Sequence, residues 1–231
     1  MRMRTITKAI VSLGMASAVL LLPIVASHAA TLMEMYLSDT VNPPVFVDDN
    51  GPGDLDPTEG SVLYSGKIGS WIVNVTTSIT YPALGTAGSP KLDFNSVDVS
   101  SGGGSAVLSL GMSALAYTFA PGGTTFQIGG NTDGTLAAEA YSGGASYFDS
   151  GTSLGGPLAF LSQGAFSGTV GGLIPASPNP YSLTIFALIN HEGDGSTSFD
   201  AKLAAVPLPP AILLLGPGLL GLFGIRKRIH I

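Results

Sequence analysis

The densest set of groups able to do chemistry lies in twelve residues, Asp48-Asp49-Asn50-Gly51-Pro52-Gly53-Asp54-Leu55-Asp56-Pro57-Thr58-Glu59. Five carboxylates this close repel one another unless neutralised, and hard oxygen ligands suit Ca2+. Counted from Asp48, the side chains of Asp48, Asn50, Asp54, Asp56 and Glu59 fall at positions one, three, seven, nine and twelve, with Gly53 at six. That follows part of the spacing of a calcium loop. Pro52 occupies position five, where a further carboxylate belongs, and no helix flanks the run. Two readings stand: a Ca2+ loop, or a solvated acidic turn ahead of the first long strand.

Elsewhere the catalytic inventory is thin. The chain has no cysteine, which excludes disulfides, thiol chemistry and thiolate metal sites. Between the two ends of the chain the lone histidine is His191, in the turn His191-Glu192-Gly193-Asp194-Gly195, where it reads as a solvated residue. One histidine cannot build a multi-histidine zinc site, and no nucleophile elbow accompanies it. Paired carboxylates remain, since glycoside hydrolysis needs two acids at a defined separation. Asp93, Asp98, Glu139, Asp149, Asp194 and Asp200 qualify by type, and no motif singles one out. Glu139 alternates with Ala138 and Ala140, and Asp200 with Phe199 and Ala201, so both read as outward-facing strand positions. Among the aromatics, Tyr36, Trp71, Tyr81, Phe94, Tyr117, Phe119, Phe126, Tyr141, Tyr147, Phe148 and Tyr181 could supply a sugar-stacking platform or fill a core.

The elements that must position these groups are strands. Trp71, Val73 and Val75 alternate with Ile72, Asn74 and Thr76; Leu183, Ile185, Ala187 and Ile189 fall on one face, as do Phe199, Ala201 and Leu203. Further strands are expected over 62–68, 92–99, 106–110, 114–119, 126–128, 136–141 and 158–166. Turns are expected at Gly102-Gly103-Gly104, Gly129-Gly130-Asn131, Asp133-Gly134 and Gly171-Gly172. Residues 181–190 and 197–204 read as a closing hairpin. No amphipathic helix and no repeat period is present. About ten short strands with tight connections predict an all-β, antiparallel β-sandwich or jelly roll.

Charge is divided unevenly. All fifteen acids lie in the 176 residues from Ala30 to Ala205, with only Lys67, Lys91 and Lys202 and no arginine, a formal charge of about −12. A phosphate backbone would be repelled, so nucleic acid is excluded as a partner and cations are favoured.

The two ends give a topology. Arg2, Arg4 and Lys8 precede an apolar run and then Ser27-His28-Ala29-Ala30, which reads as a signal peptide over 1–29 cleaved between Ala29 and Ala30. At the other end, 206–225 carries no charge over twenty residues, enough for a transmembrane helix across a hydrocarbon layer about 30 Å thick. Arg226, Lys227 and Arg228 follow and belong on the cytoplasmic side, which places the region before the span outside.

Val206-Pro207-Leu208-Pro209, an apolar helix containing Gly216-Pro217-Gly218, and then Arg226-Lys227-Arg228 resemble the PEP-CTERM sorting domain of Gram-negative bacteria. Leu208 stands where the commonest form of that motif has glutamate. The resemblance covers about a tenth of the chain, residues 206–231. It implies an exosortase-type processing enzyme as partner, transient residence in the membrane, cleavage near the proline motif, and delivery to the cell surface or beyond.

The reading favoured by these features is an exported, non-enzymatic surface or matrix protein, with an ectodomain over 30–205. The alternative is a sandwich that binds or cleaves carbohydrate, with extracellular polysaccharide as partner. A sheet face bearing exposed aromatics and a carboxylate pair would favour the alternative.

Overall fold

A computed structural model describes residues 32–104, 106–118, 122–174 and 180–207. The signal segment with Ala29 and Ala30, and the tail residues Leu208, Pro209, Arg226, Lys227 and Arg228, lie outside the described residues. Among the described residues no helix is long and apolar enough to cross a membrane.

The described chain is antiparallel β throughout. Its strands are β1 Met33–Ser38, β2 Val45–Asp48, β3 Ser61–Ile68, β4 Trp71–Ile79, β5 Gly85–Thr86, β6 Ser89–Ser101, β7 Ala106–Tyr117, β8 Gly122–Thr132, β9 Thr135–Gly143, β10 Thr152–Ser153, β11 Leu158–Phe160, β12 Gly164–Leu173, β13 Tyr181–His191 and β14 Gly195–Pro207. Two seven-stranded sheets form. Sheet A runs β10-β9-β13-β7-β1-β2 with β11 beside β9, and sheet B runs β12-β8-β14-β6-β4-β3 with β5 beside β6. The expected β-sandwich is therefore the observed fold.

Strict alternation builds the core. Met33, Met35 and Leu37 of β1, Leu108, Leu110 and Met112 of β7, and Leu183, Ile185 and Ile189 of β13 turn inward from sheet A. Trp71, Val73, Phe94, Phe126, Phe199 and Leu203 meet them from sheet B. With a two-residue side-chain period, each inward row leaves an outward row on the opposite face.

Several connections differ from expectation. β13 and β14 are not a hairpin: β13 pairs with β7 and β9, whereas β14 pairs with β6 and β8 in the other sheet. Their apolar rows face each other across the core, an arrangement the alternation allows equally well. Asp133-Gly134 likewise carries the chain from sheet B to sheet A. Gly129-Gly130 lies inside β8, where a β-carbon on Gly130 would come within 2.0 Å of the Ser198 carbonyl oxygen, so close strand approach explains that glycine. Residues 106–117 form one strand across Gly111, not two. Residues 158–166 divide between β11 and β12, and Gly171-Gly172 belong to β12.

Candidate functional site

Register places an aromatic row on the solvent side of sheet A. Phe46 of β2 pairs with Tyr36 of β1, Tyr36 with Gly111 of β7, Gly111 with Phe186 of β13, and Phe186 with Glu139 of β9. These residues share one face because directly opposed residues do. The gap at Gly111 is covered by Phe148, carried on the segment between β9 and β10. A β-carbon at Gly111 would approach Phe186 to 2.7 Å and Phe148 to 3.0 Å. Phe148 is 4% exposed, while Tyr36, Phe46, Tyr141 and Phe186 around it are half-buried.

The rings pave this surface. Centroid separations are 5.3 Å for Tyr36 and Phe46, 5.7 Å for Tyr36 and Phe148, 5.6 Å for Phe148 and Phe186, and 6.2 Å for Tyr141 and Phe186. Interplanar angles of 42° to 74° in this set follow the strand twist and the preference of aromatic pairs for tilted contacts. A polar row runs beside them: Asp48, Glu34, Ser113, Thr184 and Tyr141, in register across β2, β1, β7, β13 and β9. Ser113 Oγ lies 2.8 Å from Thr184 Oγ1 and accepts the Phe148 N–H at 3.0 Å, which fixes Phe148 over the face.

At the edge of the face, Glu139 accepts hydrogen bonds from the Tyr141 hydroxyl at 2.7 Å and from Ser153 Oγ at 2.6 Å. Burial, and then the Glu139 carboxylate, push the Tyr141 phenol above its ordinary range, so it stays a proton donor. Of the aromatics marked from sequence, Tyr36, Tyr141 and Phe148 belong to this face. Trp71, Phe94 and Tyr117 are core. Phe46 and Phe186 were not marked; the period-two pattern of their strands carried the signal.

The acidic loop bridges β2 and β3 and is built from its own hydrogen bonds. Asp54 accepts the N–H groups of Asn50 (2.8 Å), Asp56 (3.0 Å) and Leu63 (2.9 Å). Asp56 accepts the Thr58 N–H at 3.0 Å and the Ser61 hydroxyl at 2.7 Å, contacts that hold its carboxyl below the usual range. Asp49 accepts the Gly60 N–H at 2.8 Å, while burial raises its carboxyl. Asp48 leaves the loop for the outer face of sheet A, opposite Glu34. Among the described residues no group of three His, Asp or Glu side chains is placed to hold a metal ion.

His191 is not solvated: it is 1% exposed, packed with its ring centroid 4.8 Å from that of Trp71. Its Nδ1 lies 2.7 Å from Ser101 Oγ and its Nε2 2.9 Å from Thr197 Oγ1. No carboxylate completes this pair into a triad among the described hydrogen bonds. The remaining acids are dispersed. Asp149 accepts the Gly144 N–H, Asp194 the Gly103 N–H and Asp200 the Ser96 N–H, each at 2.6 Å. Asp98 faces outward on β6, and Asp93 and Asp200 line a common groove on sheet B.

Of the residues expected to form a sorting motif, Val206 and Pro207 are the last two of β14, paired with Gly123 and Gly122 of β8, so this strand runs two residues past Ala205.

No known sequence family matches the chain, and no curated protein matches it in sequence. In structure it is similar to the carbohydrate-binding module TmCBM61 in complex with β-1,4-galactotriose, with a TM-score of 0.36 and 8% identity over 61% of this chain and 92% of that one. A module described for specific mannan recognition, TmCBM27, matches with a TM-score of 0.28 and 12% identity over 59% of this chain and 89% of that one. A family 11 carbohydrate-binding module from Clostridium thermocellum, in complex with a β-1,3-1,4-mixed-linked tetrasaccharide, matches with a TM-score of 0.26 and 12% identity over 78% of this chain and 99% of that one.

Proposed function

We propose that this chain is an exported, non-enzymatic β-sandwich that binds neutral polysaccharide on the outer face of sheet A. The observation that carries the reading is the set of half-buried rings, Tyr36, Phe46, Tyr141 and Phe186, on the face turned away from the core. Apolar rings there contribute nothing to the inter-sheet core, whereas a rimmed aromatic patch is the usual form of a binding surface. The C–H faces of a sugar ring pack on such rings. Glu139, Tyr141 and Ser153 at the edge offer acceptors and donors for its hydroxyls. The acidic, arginine-free composition of 30–205 disfavours anionic polymers.

Glu139 suits a binding role: both its oxygens accept hydroxyl hydrogen bonds, the environment of a carboxylate that orients its neighbours. The address follows from the two ends: the signal segment over 1–29 for export, then the tail over 206–231 for transient membrane attachment, exosortase-type processing and delivery to the cell surface. A tail that begins within β14 would hold the sandwich close to the bilayer until processing.

Affinity electrophoresis against galactan, mannan and mixed-linked glucan tests the binding. Retardation of the protein, lost in Tyr36→Ala and Phe186→Ala, is expected. Unchanged retardation in both variants would remove the reading, and release of reducing ends in the same incubations would move it to glycan cleavage.

A further inference from the structure

The outer face of sheet B carries a groove of about 290 Å3, lined by Asp93, Asn95, Gln127, Ile128, Gly129, Asp200 and Lys202. Two features open it. The β14–β6 ladder shifts register between Phe199 and Ala201, and opposite that shift Ser96 adopts a φ of 52° and gives its N–H to Asp200 Oδ1 at 2.6 Å. Next to Asp200 in register lies Gly129, whose absent side chain leaves the floor bare. No close approach demands glycine there, because the nearest atom to a β-carbon would be 3.5 Å away. Gly130, one residue on, is the opposite case, with a backbone oxygen at 2.0 Å.

The groove presents two carboxylates, two carboxamides and one ammonium group, and no aromatic ring. Paired carboxylates repel phosphates and uronic acids, and a wholly apolar ligand would leave the five polar side chains without partners on the ligand. Alternating donors and acceptors instead match a polyhydroxyl compound. Lys202 Nζ stands 4.0 Å from Asp93 Oδ2, too far for a hydrogen bond and wide enough for a ligand hydroxyl to bridge the two.

We infer that this groove is a second site for neutral glycan, independent of the aromatic face. Because the two sites lie on opposite outer faces of the sandwich, one molecule joins two polysaccharide chains. The second site stands on the groove alone; the joining of chains rests also on the proposed role of sheet A.

The test uses the purified full-length protein and a panel of neutral gluco-, galacto-, manno- and xylo-oligosaccharides, followed by calorimetric stoichiometry, with turbidity on the matching polymers. Two sites per chain and turbid cross-linking are expected for the parent. Gln127→Ala with Lys202→Ala is expected to leave one site and abolish turbidity. Gly129→Gln, which fills the floor, should do the same, and a thermal melt confirms that both variants fold. Unchanged stoichiometry in both groove variants would overturn the inference, as would the absence of binding to the whole panel. If Tyr36→Ala with Phe186→Ala leaves stoichiometry intact while the groove variants abolish binding, the aromatic-face reading fails and the groove assignment survives.

Discussion

Phe148 lies over Gly111, its ring and that of Phe186 together filling the volume that a β-carbon at Gly111 would need. The contact joins a connecting segment to the middle strand of the aromatic face, and the hydrogen bond from the Phe148 N–H to Ser113 Oγ fixes it two residues along the same strand. A glycine read in isolation as a break in a strand is here the reason that a strand can be covered.

Gly111→Ala should therefore be destabilising. Its new methyl meets Phe186 and Phe148 at 2.7 and 3.0 Å, and both rings must shift. Overpacking of this kind costs about 1–3 kcal/mol. For a domain of this size that lowers the melting temperature by roughly 2–12 °C. Polysaccharide binding should weaken alongside, because the same rings form the surface. A melt and an affinity gel equal to those of the parent would show that the face accommodates the methyl.

Phe186→Ala and Tyr36→Ala separate binding from folding. Both residues are half-buried and outside the inter-sheet core, so a modest loss of stability is expected. Central aromatic anchors typically carry about 2 kcal/mol or more of binding, which corresponds to a thirtyfold loss of affinity. Ile72→Ala, exposed on the outer face of sheet B and 59% accessible, serves as the control that should change neither quantity.

The acidic loop should fold without a cation. Three N–H groups converge on Asp54, and Asp56 and Asp49 accept four further bonds, which supply positive partial charge to three of the five carboxylates. Asp54→Ala should cost about 1–3 kcal/mol by leaving those donors unpaired. The parent's melt should be the same in chelator and in millimolar Ca2+. A rise with Ca2+ that is absent in Asp54→Ala would instead identify the loop as a Ca2+ site, since a ligand specific to the native state must raise stability.

How far the sequence anticipates this molecule depends on the distance over which information acts. The inward row Leu183, Ile185, Ala187, Ile189 and the row Phe199, Ala201, Leu203 are both buried as their period requires, because facing is a local property of a strand. Partner choice is not local: the same two rows serve a hairpin or two strands facing across a core, and β13 and β14 took the second course. Gly129-Gly130 reads as a turn because glycine marks turns; in the fold Gly130 answers to atoms brought close by a neighbouring strand distant in sequence, and Gly129 to none. β1 lies ahead of the expected strands although Met33, Met35 and Leu37 alternate cleanly, because the acidic loop after it has the composition of an approach to a first strand. The aromatic face needs five strands in register, and no window of sequence contains it.

His191 offers the sharpest such case, because its neighbours bear on its protonation. The Gly134 N–H can only donate, to Thr132 Oγ1 at 3.1 Å, and the Gly193 carbonyl can only accept, from Ser101 Oγ at 3.2 Å. Between these ends Thr132 gives its hydroxyl proton to Thr197 (2.7 Å), Thr197 to His191 Nε2 (2.9 Å), and His191 Nδ1–H to Ser101 (2.7 Å). A neutral imidazole with its proton on Nδ1 satisfies every member of this network. An imidazolium would donate from both nitrogens and turn the Thr197 hydroxyl back toward Thr132, whose own hydroxyl would then lose its acceptor.

Burial acts in the same direction, and lowers the His191 pKa below 6.5 against a weaker opposing pull from Asp133. In the unfolded chain the residue titrates near its ordinary value of about 6.5, so below that pH the unfolded state binds more protons and stability falls. The melting temperature should accordingly be level above about pH 7 and decline as pH drops through 6.5 toward the lower folded value. His191→Gln keeps one donor and one acceptor but does not titrate. It should flatten the profile between pH 7.5 and 5.5, even if its melting temperature is lower throughout. Parallel slopes for parent and variant would show that His191 is not the group that links folding to pH in this window.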